Sequence, residues 1–183
     1  MVSSVVGITG RKFNGKDTLG KYFIENMGYE KLAFADALKD ACRCVFGFTD
    51  EQLYGDKKEE VDEFWKVAPR KVLQFVGTEL FRNQLSTIMP ELGNDIWVAV
   101  IKKKILDNPD KKFVITDVRF SNECELIKKL GGTVIRVNRN SVNTEIDPHS
   151  SELAIEKLEV DFEIENDGTI EELYEKFSNY FFK

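Results

Sequence analysis

The stretch that decides the fold lies near the start of the chain, where residues 4–18 read SVVGITGRKFNGKDT. The short apolar run over Ser4–Ile8 predicts a buried strand. Apolar residues recur with helical spacing from Lys16 to Met27, which predicts a helix. Between the two, Gly10 to Lys16 has the Gly-x4-Gly-Lys spacing of a Walker A loop. A strand, a glycine loop and a helix in this order predict a phosphate-binding site.

The residue types of this loop explain why it would bind an anion. Glycine tolerates positive φ and lets backbone N–H groups approach phosphate oxygens closely. The following helix directs its partially positive N-terminus at the same anion, and Lys16 adds a full positive charge for the terminal phosphates. The residues predicted to bind the donor phosphates are Gly10, Asn14, Gly15, Lys16, Asp17 and Thr18.

The residue after the lysine departs from the general Walker A pattern. That position usually carries Ser or Thr, whose hydroxyl contacts magnesium, whereas this chain has Asp17 followed by Thr18. The order Gly-Lys-x-Thr also occurs in adenylate-kinase-like enzymes, so it favours a nucleotide kinase over a GTPase. Asp17 would either hold a magnesium-bound water or act as a carboxylate that stabilises the helix start. The sequence leaves both roles open.

Strand and helix patterns alternate along the rest of the chain. Further strands are predicted over Tyr29–Ala35, Phe113–Val118, Thr133–Val137 and Asp161–Glu165. Further helices are predicted from Asp36, as the N-cap, to Gly47, and over Pro69–Leu85, Asn122–Leu130, Ser151–Leu158 and Ile170–Phe182. Such alternation predicts an α/β fold: a doubly wound, three-layer structure with five parallel strands covered by helices on both faces.

Composition limits the classes of function. The 183 residues suit a single domain. Lys plus Arg number 26 and Asp plus Glu 32, so the net charge is −6 and we expect no binding to duplex nucleic acid. No apolar run approaches the roughly 20 residues of a membrane span, so we expect no membrane insertion. The three cysteines have no framework spacing, which predicts reduced thiols in a cytoplasmic protein. The apolar run at residues 2–8 is short and has no basic lead, so we expect no signal peptide. The lone His149 excludes a paired-histidine metal site.

Candidate acceptor residues follow the second strand and occupy one helix. Asp36 comes at the carboxyl end of a parallel strand, where ligands bind in such sheets, although a plain helix cap is the alternative. Arg70, Gln74, Thr78 and Arg82 recur every fourth residue and so form a polar ridge. The apolar side of the same helix, Val72, Leu73, Val76 and Leu80, should pack on the core. Arginines with Gln and Thr on the ridge predict a surface that reads an anion and a base.

Asp117 and the placement of arginine point to the same chemistry. Asp117 follows an apolar strand as a Walker B aspartate does, and it should lie near the metal. The chain has seven arginines beside nineteen lysines, and six of the arginines fall in the phosphate loop or beside predicted cleft segments. Because arginine binds phosphate in a bidentate fork, this bias predicts a phosphate-crowded site.

These motifs, taken together and in order, resemble the deoxynucleoside monophosphate kinases of phages and large DNA viruses. The resemblance spans nearly the whole chain, and its set of co-linear motifs is far more specific than any one of them. Its residues are Gly15-Lys16-Asp17-Thr18, Phe34-Ala35-Asp36 with Leu38-Lys39, Arg70 with Gln74 and Gly77-Thr78-Glu79, Thr116-Asp117-Val118-Arg119-Phe120 with Asn122-Glu123, Gly131-Gly132, His149-Ser150-Ser151-Glu152, and Asn166-Asp167-Gly168-Thr169.

The resemblance implies a P-loop nucleotide-kinase fold with strand order 2-3-1-4-5. It implies ATP and magnesium at the donor site, a deoxynucleotide acceptor and a lid between the fourth and fifth strands, at about residues 140–150. Asn166 and Gly168 occupy the turn where such kinases often hold the donor adenine. The single domain would comprise a core, 1–48 and 109–183, with a helical acceptor-binding region at about 49–108. The clamp on the phosphates would depend on Arg139 and Arg136.

The sequence thus predicts an ATP-dependent kinase that converts a (deoxy)nucleoside monophosphate to the diphosphate, as a monomer or homodimer. Lys16, Arg119 and Arg139 are the predicted catalytic residues, and Asp17, Thr18 and Asp117 the predicted metal residues. The predicted acceptor-binding residues are Asp36, Lys39, Arg70, Gln74, Glu79, Arg82 and Trp97. A dephospho-coenzyme A kinase-like enzyme and a non-catalytic P-loop nucleotide-binding module remain the alternatives.

Overall fold

The computed structural model describes residues 4–93, 95–140 and 155–181. Two compact units divide the chain. The first comprises residues 1–33 and 101–183, and the second comprises residues 34–100.

The first unit is built on a five-stranded parallel sheet. Its strands are β1 (Val5–Thr9), β2 (Glu30–Leu32), β3 (Phe113–Ile115), β4 (Thr133–Asn138) and β5 (Phe162–Glu165). Their spatial order is β2-β3-β1-β4-β5, which confirms the order 2-3-1-4-5. In the register, Gly7 of β1 lies opposite Ile115 on one side and Val134 on the other. The carboxyl ends of these three strands therefore meet at one edge of the sheet.

Helices cover both faces of this sheet, and the alternation of side chains along β1 decides which face each helix covers. Val6 and Ile8 pack in one core cluster with α1 (Lys16–Met27) and α7 (Ile170–Phe181). Gly7 points to the opposite face, where a Cβ would meet Ile127 of α6 (Ser121–Lys129) at 2.5 Å. The absence of a Cβ at Gly7 therefore leaves the space that the side chain of Ile127 fills. The prediction of a three-layer doubly wound fold is confirmed.

Two strands are shorter than their apolar runs predict. The run Phe113–Val118 pairs with its neighbours only as far as Ile115. Thr116 and Val118 nevertheless stay buried, and the Thr9 hydroxyl donates to the Val118 carbonyl at 2.8 Å. The apolar pattern therefore reported burial correctly, while the end of strand pairing depends on neighbouring strands. The edge strand β2 likewise pairs over three residues only, within the predicted strand Tyr29–Ala35.

The second unit is helical. It contains α2 (Asp36–Phe46), α3 (Asp50–Leu53), a 3-10 turn (Asp56–Lys58) and α4 (Pro69–Gln74). α4 continues as a π-helix over Phe75–Gln84 and a 3-10 turn over Leu85–Thr87. Helix α5 (Ile96–Leu106) contains the boundary between the units. The unit has its own core, which comprises Cys42, Phe48, Leu53, Leu73 and Val76, with Leu38, Phe46, Val72 and Phe81 packed against it.

The structure corrects two local predictions in this unit. Ala35 occupies the N-cap position of α2, and Asp36 is the first residue of the helix rather than its cap. Leu80, expected in the core, is 44% exposed. The π-helix explains the second error, because its i→i+5 hydrogen bonds rotate later residues away from the faces that α-helical spacing assigns.

Candidate functional site

The loop between β1 and α1 has a backbone that glycine makes possible. Gly10 has φ 143° and Gly15 has φ 98°, while Phe13 adopts a left-handed φ of 67°. A Cβ on Gly10 would lie 2.4 Å from the carbonyl oxygen of Val137 on β4. Both positive φ and close packing therefore require glycine at position 10.

Two buried amide side chains fix this loop to the carboxyl ends of β4 and β5. Asn14 Nδ2 donates to the Val137 carbonyl at 3.0 Å, and Asn166 Nδ2 donates to the Asn14 carbonyl at 2.9 Å. Asn14 is 6% exposed and Asn166 is 7% exposed. The Asn14 side chain thus supports the loop from beneath, and its backbone N–H donates to the Arg11 carbonyl at 3.3 Å.

Lys16, the first residue of α1, lies across the loop. Its Nζ donates to the Arg11 carbonyl at 2.7 Å, and the side chain is half-buried. The first helical hydrogen bond runs from Leu19 N to the Gly15 carbonyl at 3.0 Å. An ammonium group and the N-terminus of a twelve-residue helix therefore converge on the same loop.

Asp17 has partners that the sequence did not reveal. Its Oδ1 accepts from Lys31 Nζ at 3.1 Å and from the Thr116 hydroxyl at 3.2 Å. Burial acts to raise the pKa of Asp17, but the Lys31 hydrogen bond and charge, the Thr116 bond and the Lys16 charge outweigh it and hold the pKa below its ordinary value. Asp17 is therefore an anchored carboxylate that links α1 to the ends of β2 and β3.

Asp117 and Thr18 lie at the same edge of the sheet as the loop. Asp117 is half-buried and follows β3 by two residues, directly before the Val118 carbonyl that Thr9 contacts. Thr18 is half-buried in the first turn of α1, and its carbonyl accepts from the Tyr174 hydroxyl at 3.3 Å. Among the residues that the structure describes, no three His, Cys, Asp or Glu side chains form a group that could hold a metal ion.

The turn from β3 into α6 carries Arg119, whose side chain is exposed. Glu123 lies beneath it and is only 2% exposed. One carboxylate oxygen of Glu123 accepts from the backbone N–H of Arg119 at 2.7 Å and from that of Phe120 at 3.1 Å. This buried carboxylate therefore fixes the backbone that presents Arg119.

A cleft of about 300 Å³ opens beside the loop in the first unit. Its lining includes Gly10, Arg11 and Asn14 from the loop, Glu165 from β5, and, from the end of β4, Arg136, Asn138, Arg139 and Asn140. Arg11 is paired with Glu156. Arg139 is half-buried and lines the same cleft as these loop residues, while its catalytic role stays a prediction.

Arg136 has a different environment from the one that a phosphate clamp needs. It pairs with Glu163 at 2.6 Å and donates to the carbonyls of Ile155 and Leu158. These contacts tie β4 to β5 and to the segment before it. In the structure Arg136 is thus occupied by these contacts, and the clamp predicted for Arg136 and Arg139 stays a prediction. The lid predicted for residues 140–150 lies outside the described residues except for Asn140.

The turn predicted to hold adenine leads into α7. Asn166 N donates to the Asn138 carbonyl at 2.7 Å, so this residue is attached to β4 through its backbone and to the loop through its side chain. Gly168 is exposed and precedes Thr169, whose hydroxyl accepts from Glu172 N at 3.3 Å at the start of α7. A Cβ on Gly168 would clash with the Glu172 carboxylate.

In the second unit, Asp36 and Lys39 of α2 meet Tyr54. The ammonium of Lys39 lies 3.8 Å from the centroid of the Tyr54 ring, a cation–π contact. The Tyr54 hydroxyl lies 3.5 Å from Asp36 Oδ1, and the ring is 52% exposed. Burial, followed by the charges of Asp36 and Asp40, raises the pKa of Tyr54. A carboxylate, an ammonium and an exposed aromatic ring thus form one small surface.

The polar ridge on α4 and the π-helix faces away from the core of the second unit. Gln74 and Thr78 are exposed, and Arg70 and Arg82 are half-buried. Arg70 pairs with Glu59 at 2.9 Å, and Glu79 accepts from Asn83 at 3.0 Å. The ridge is therefore present as a polar surface, while Leu73 and Val76 lie on the buried side.

Trp97 lies inside the second unit. It is 6% exposed, its indole N–H donates to the Gly77 carbonyl at 3.1 Å, and its ring packs against Phe81. These contacts make it a packing residue beneath the ridge. Gly77 itself allows close approach, because a Cβ there would meet Leu38 at 2.7 Å.

Sequence reasoning missed Tyr54 and any role for Glu123. Tyr54 follows a four-residue helix and has no periodicity that distinguishes it from a solvated aromatic residue. Glu123 had a weak signal, since a glutamate three residues after a helix start is typical of a helix cap. Neither contact pattern could be derived without the tertiary structure.

The fold and the loop define a class of protein: a kinase-type P-loop phosphotransferase of the α/β type. Within that class, the chain belongs to the deoxynucleotide monophosphate kinase family. The family model for "Deoxynucleotide monophosphate kinase" matches residues 46–177, which is more than half of the chain. The resemblance stated from the sequence motifs is therefore confirmed.

The curated relatives agree with this assignment. The chain is 39% identical over 178 residues to a protein described as a putative deoxynucleotide monophosphate kinase from Acanthamoeba polyphaga mimivirus, covering 93% of this chain and 92% of the relative. It is 30% identical over 119 residues to the deoxynucleotide monophosphate kinase of Escherichia phage RB69, covering 63% of this chain and 45% of the phage protein. The match thus spans nearly all of the mimivirus protein and less than half of the phage one.

Among solved structures, TT1252 from Thermus thermophilus superimposes with a TM-score of 0.50. The match covers 98% of this chain and 96% of that one at 18% sequence identity, so it supports the fold alone. Within the described part of the chain, no helix is both long enough and apolar enough to cross a membrane.

Proposed function

We propose that the chain transfers the terminal phosphoryl group of ATP to a (deoxy)nucleoside monophosphate, releasing ADP and the nucleoside diphosphate. The observation that carries this proposal is the glycine loop, which hydrogen bonds hold to β4 and to Asn166 and across which Lys16 lies. The chain that contains it belongs to the deoxynucleotide monophosphate kinase family. Family membership favours a nucleotide acceptor over dephospho-coenzyme A. The presence of two groups of polar residues, one in each unit, favours turnover over simple nucleotide sensing.

The proposed chemistry needs charge neutralisation more than proton transfer. The acceptor phosphate has a second pKa of about 6, so it is already largely ionised at neutral pH and needs no strong base. Lys16 and the N–H groups of the loop would hold the donor phosphates as negative charge develops. Arg139 and Arg119 would approach the phosphoryl group in transit, and Glu123 would hold Arg119 in place.

The donor site also suits a magnesium ion. A magnesium ion that bridges nucleotide phosphates needs only one or two oxygen ligands from the protein. The Thr18 hydroxyl and the Asp117 carboxylate are oxygen donors of the right kind at the edge of the sheet that carries the loop. When bound, the ion would neutralise phosphate charge. Asp17, already bonded to Lys31 and Thr116, would act indirectly by orienting water or the start of α1.

The acceptor nucleotide would bind the second unit. Arg70 and Arg82 would grip its phosphate, while Asp36, Gln74 and Glu79 would read its base and sugar. Lys39 and Tyr54 extend the Asp36 surface with a cation and an aromatic face, which is suited to a nucleoside. Trp97 would contribute by supporting the helix that carries the ridge.

The remaining parts of the proposal concern organisation. The chain would act as one kinase domain, with residues 1–48 and 109–183 as its core, residues 49–108 as its acceptor region and a lid at about 140–150. We propose that it works in the cytoplasm, that of the host if its source is viral, as a monomer or homodimer without nucleic-acid or membrane partners. The net charge of −6 supports the absence of nucleic acid.

One coupled assay tests the proposed function. ADP release would be followed with ATP, magnesium and each common ribo- and deoxyribonucleoside monophosphate in turn. We expect turnover with one or more deoxynucleoside monophosphates and little without an acceptor. ATP hydrolysis that no monophosphate stimulates would favour the sensing module, and turnover confined to dephospho-coenzyme A would favour that alternative.

A further inference from the structure

Asn166 is the candidate for a role that the proposed function does not assign. The sequence motifs assign Asn166 to the donor adenine, but its side chain points at the phosphate loop. The oxygen that it meets is the backbone carbonyl of Asn14, 2.9 Å away, and a carbonyl can only accept a hydrogen bond. The amide N–H of Asn166 is therefore committed to the loop.

The surroundings of Asn166 hold its side chain in contact with the loop. Its backbone N–H is held by the Asn138 carbonyl at 2.7 Å, and the residue is 7% exposed. A Cβ on Gly15 would lie 2.3 Å from Asn166 Nδ2, so the amide packs directly on the loop glycine before Lys16. Asn14 in turn donates to the Val137 carbonyl at 3.0 Å. These two hydrogen bonds, Asn166 to Asn14 and Asn14 to Val137, are called the brace of the loop.

From this geometry we infer that Asn166 is a positioning residue that keeps the phosphate loop in its phosphate-binding conformation. Three loop residues have positive φ, among them Phe13, for which a left-handed conformation is unfavourable. Such a loop tends to relax unless its surroundings hold it. The brace acts on the phosphate-binding backbone, so its effect does not depend on the base of the nucleotide.

The inference rests on the proposed donor site and predicts a specific binding pattern. If the loop of an Asn166→Ala protein occupies the competent conformation only part of the time, the apparent dissociation constant rises by the inverse of that fraction. We expect a rise of about tenfold, in the range for the loss of one buried hydrogen bond. The factor should be the same for ATP and for tripolyphosphate, which has no base.

The experiment is calorimetric titration of wild type, Asn166→Ala and Asn26→Ala with ATP and with tripolyphosphate at equal magnesium. Asn26 is the matched control, since its amide also donates to a backbone carbonyl, that of Tyr22, but on the exposed surface of α1. Asn26→Ala should bind both ligands like wild type. Kinetics of Asn166→Ala should show a higher KM for ATP and an unchanged KM for the monophosphate.

The outcomes separate this inference from the proposed function. Weaker ATP binding with unchanged tripolyphosphate binding would assign Asn166 to the adenine and overturn the inference, as would no change with either ligand. Wild-type protein that binds neither ligand would instead refute the donor site. If Asn166→Ala does not fold, Asn14→Ala removes the other bond of the brace, and the same equal loss with both ligands is expected.

Discussion

At the scale of single residues, the position of the Lys16 side chain is the main feature of the loop. Lys16 already lies across the loop through its 2.7 Å bond to the Arg11 carbonyl. Binding a phosphate would therefore exchange a carbonyl contact for a charged one with little rearrangement.

Replacement of Lys16 by alanine should lower kcat by at least a hundredfold, because a preorganised positive charge at a transferring phosphoryl group commonly contributes about 3 kcal/mol or more. The melting temperature should stay close to that of wild type. Lys21→Ala is the control, since Lys21 is an exposed lysine of the same helix that pairs with Glu25. Steady-state turnover of Lys16→Ala within tenfold of wild type would rule out the donor-site assignment.

Asp17 should make stability depend on pH in one direction. Its folded-state pKa lies below the ordinary value of a carboxyl group, so folding favours the ionised form, and its contribution to stability is complete above about pH 4. The contribution should disappear as pH falls through the folded-state pKa. Denaturation of wild type and Asp17→Asn at several pH values tests this: the difference in unfolding free energy should shrink below pH 4. If the difference in unfolding free energy instead grows on acidification, folding raises the pKa of Asp17, and the predicted direction is wrong.

At the scale of elements, one turn and one helical segment carry arginines that the sequence predicts to be functional. The β3–α6 turn carries Arg119 on a backbone fixed by the buried Glu123 carboxylate. The π-helix that follows α4 carries the second half of the polar ridge. π-helical segments are rare and often occur at functional sites, which agrees with an acceptor role for this helix.

Loss of the Glu123 side chain should act on catalysis through Arg119. Glu123→Ala would leave two backbone donors without their acceptor, and we expect it to lower kcat about tenfold and to cost about 1–3 kcal/mol of stability. In a double-mutant cycle with Arg119→Ala, the second substitution should add little to the loss of kcat. Additive losses would mean that Glu123 has only a general stabilising role. Glu123→Gln, which keeps an accepting oxygen, should recover most of the activity.

The ridge prediction concerns the acceptor alone. Arg70→Lys keeps the charge but loses the bidentate fork, so the KM for the monophosphate should rise about tenfold while the KM for ATP stays constant. Lys71→Ala serves as the control, because Lys71 is the exposed neighbour of Arg70 on α4. A change confined to the KM for ATP would place the ridge at the donor site instead.

At the scale of the whole molecule, donor binding should appear as a gain in stability. A ligand that binds only the folded protein, at a hundred times its dissociation constant, adds about 2.7 kcal/mol. For a chain of this length that corresponds to a rise in Tm of roughly 5–10 °C. Scanning calorimetry with ATP and magnesium should show this rise for wild type, and Lys16→Ala should lose most of it. An equal rise in both proteins would show that the nucleotide binds elsewhere.

Much of this architecture could be predicted from local sequence. Periodicity predicted all five strands, and the glycine that follows Met27 marked the end of α1 at the right residue. These signals are local, since burial of one face and tolerance of positive φ leave their mark on a few neighbouring residues. The strand order is a non-local property, and it was predicted only through the resemblance to a family.

The sequence by itself determined the strand–loop–helix unit, the alternation of elements and the family to which the chain belongs. Only the tertiary structure decided which groups each polar side chain contacts. The Asn166 bond to the loop joins residues 152 positions apart, and the bond between Asp17 and Thr116 joins residues 99 positions apart. Arg136 and Glu163, which pair across β4 and β5, are 27 positions apart. A hydrogen bond has a length and a direction that depend on the packing of several elements at once. No pattern along the chain contains that information.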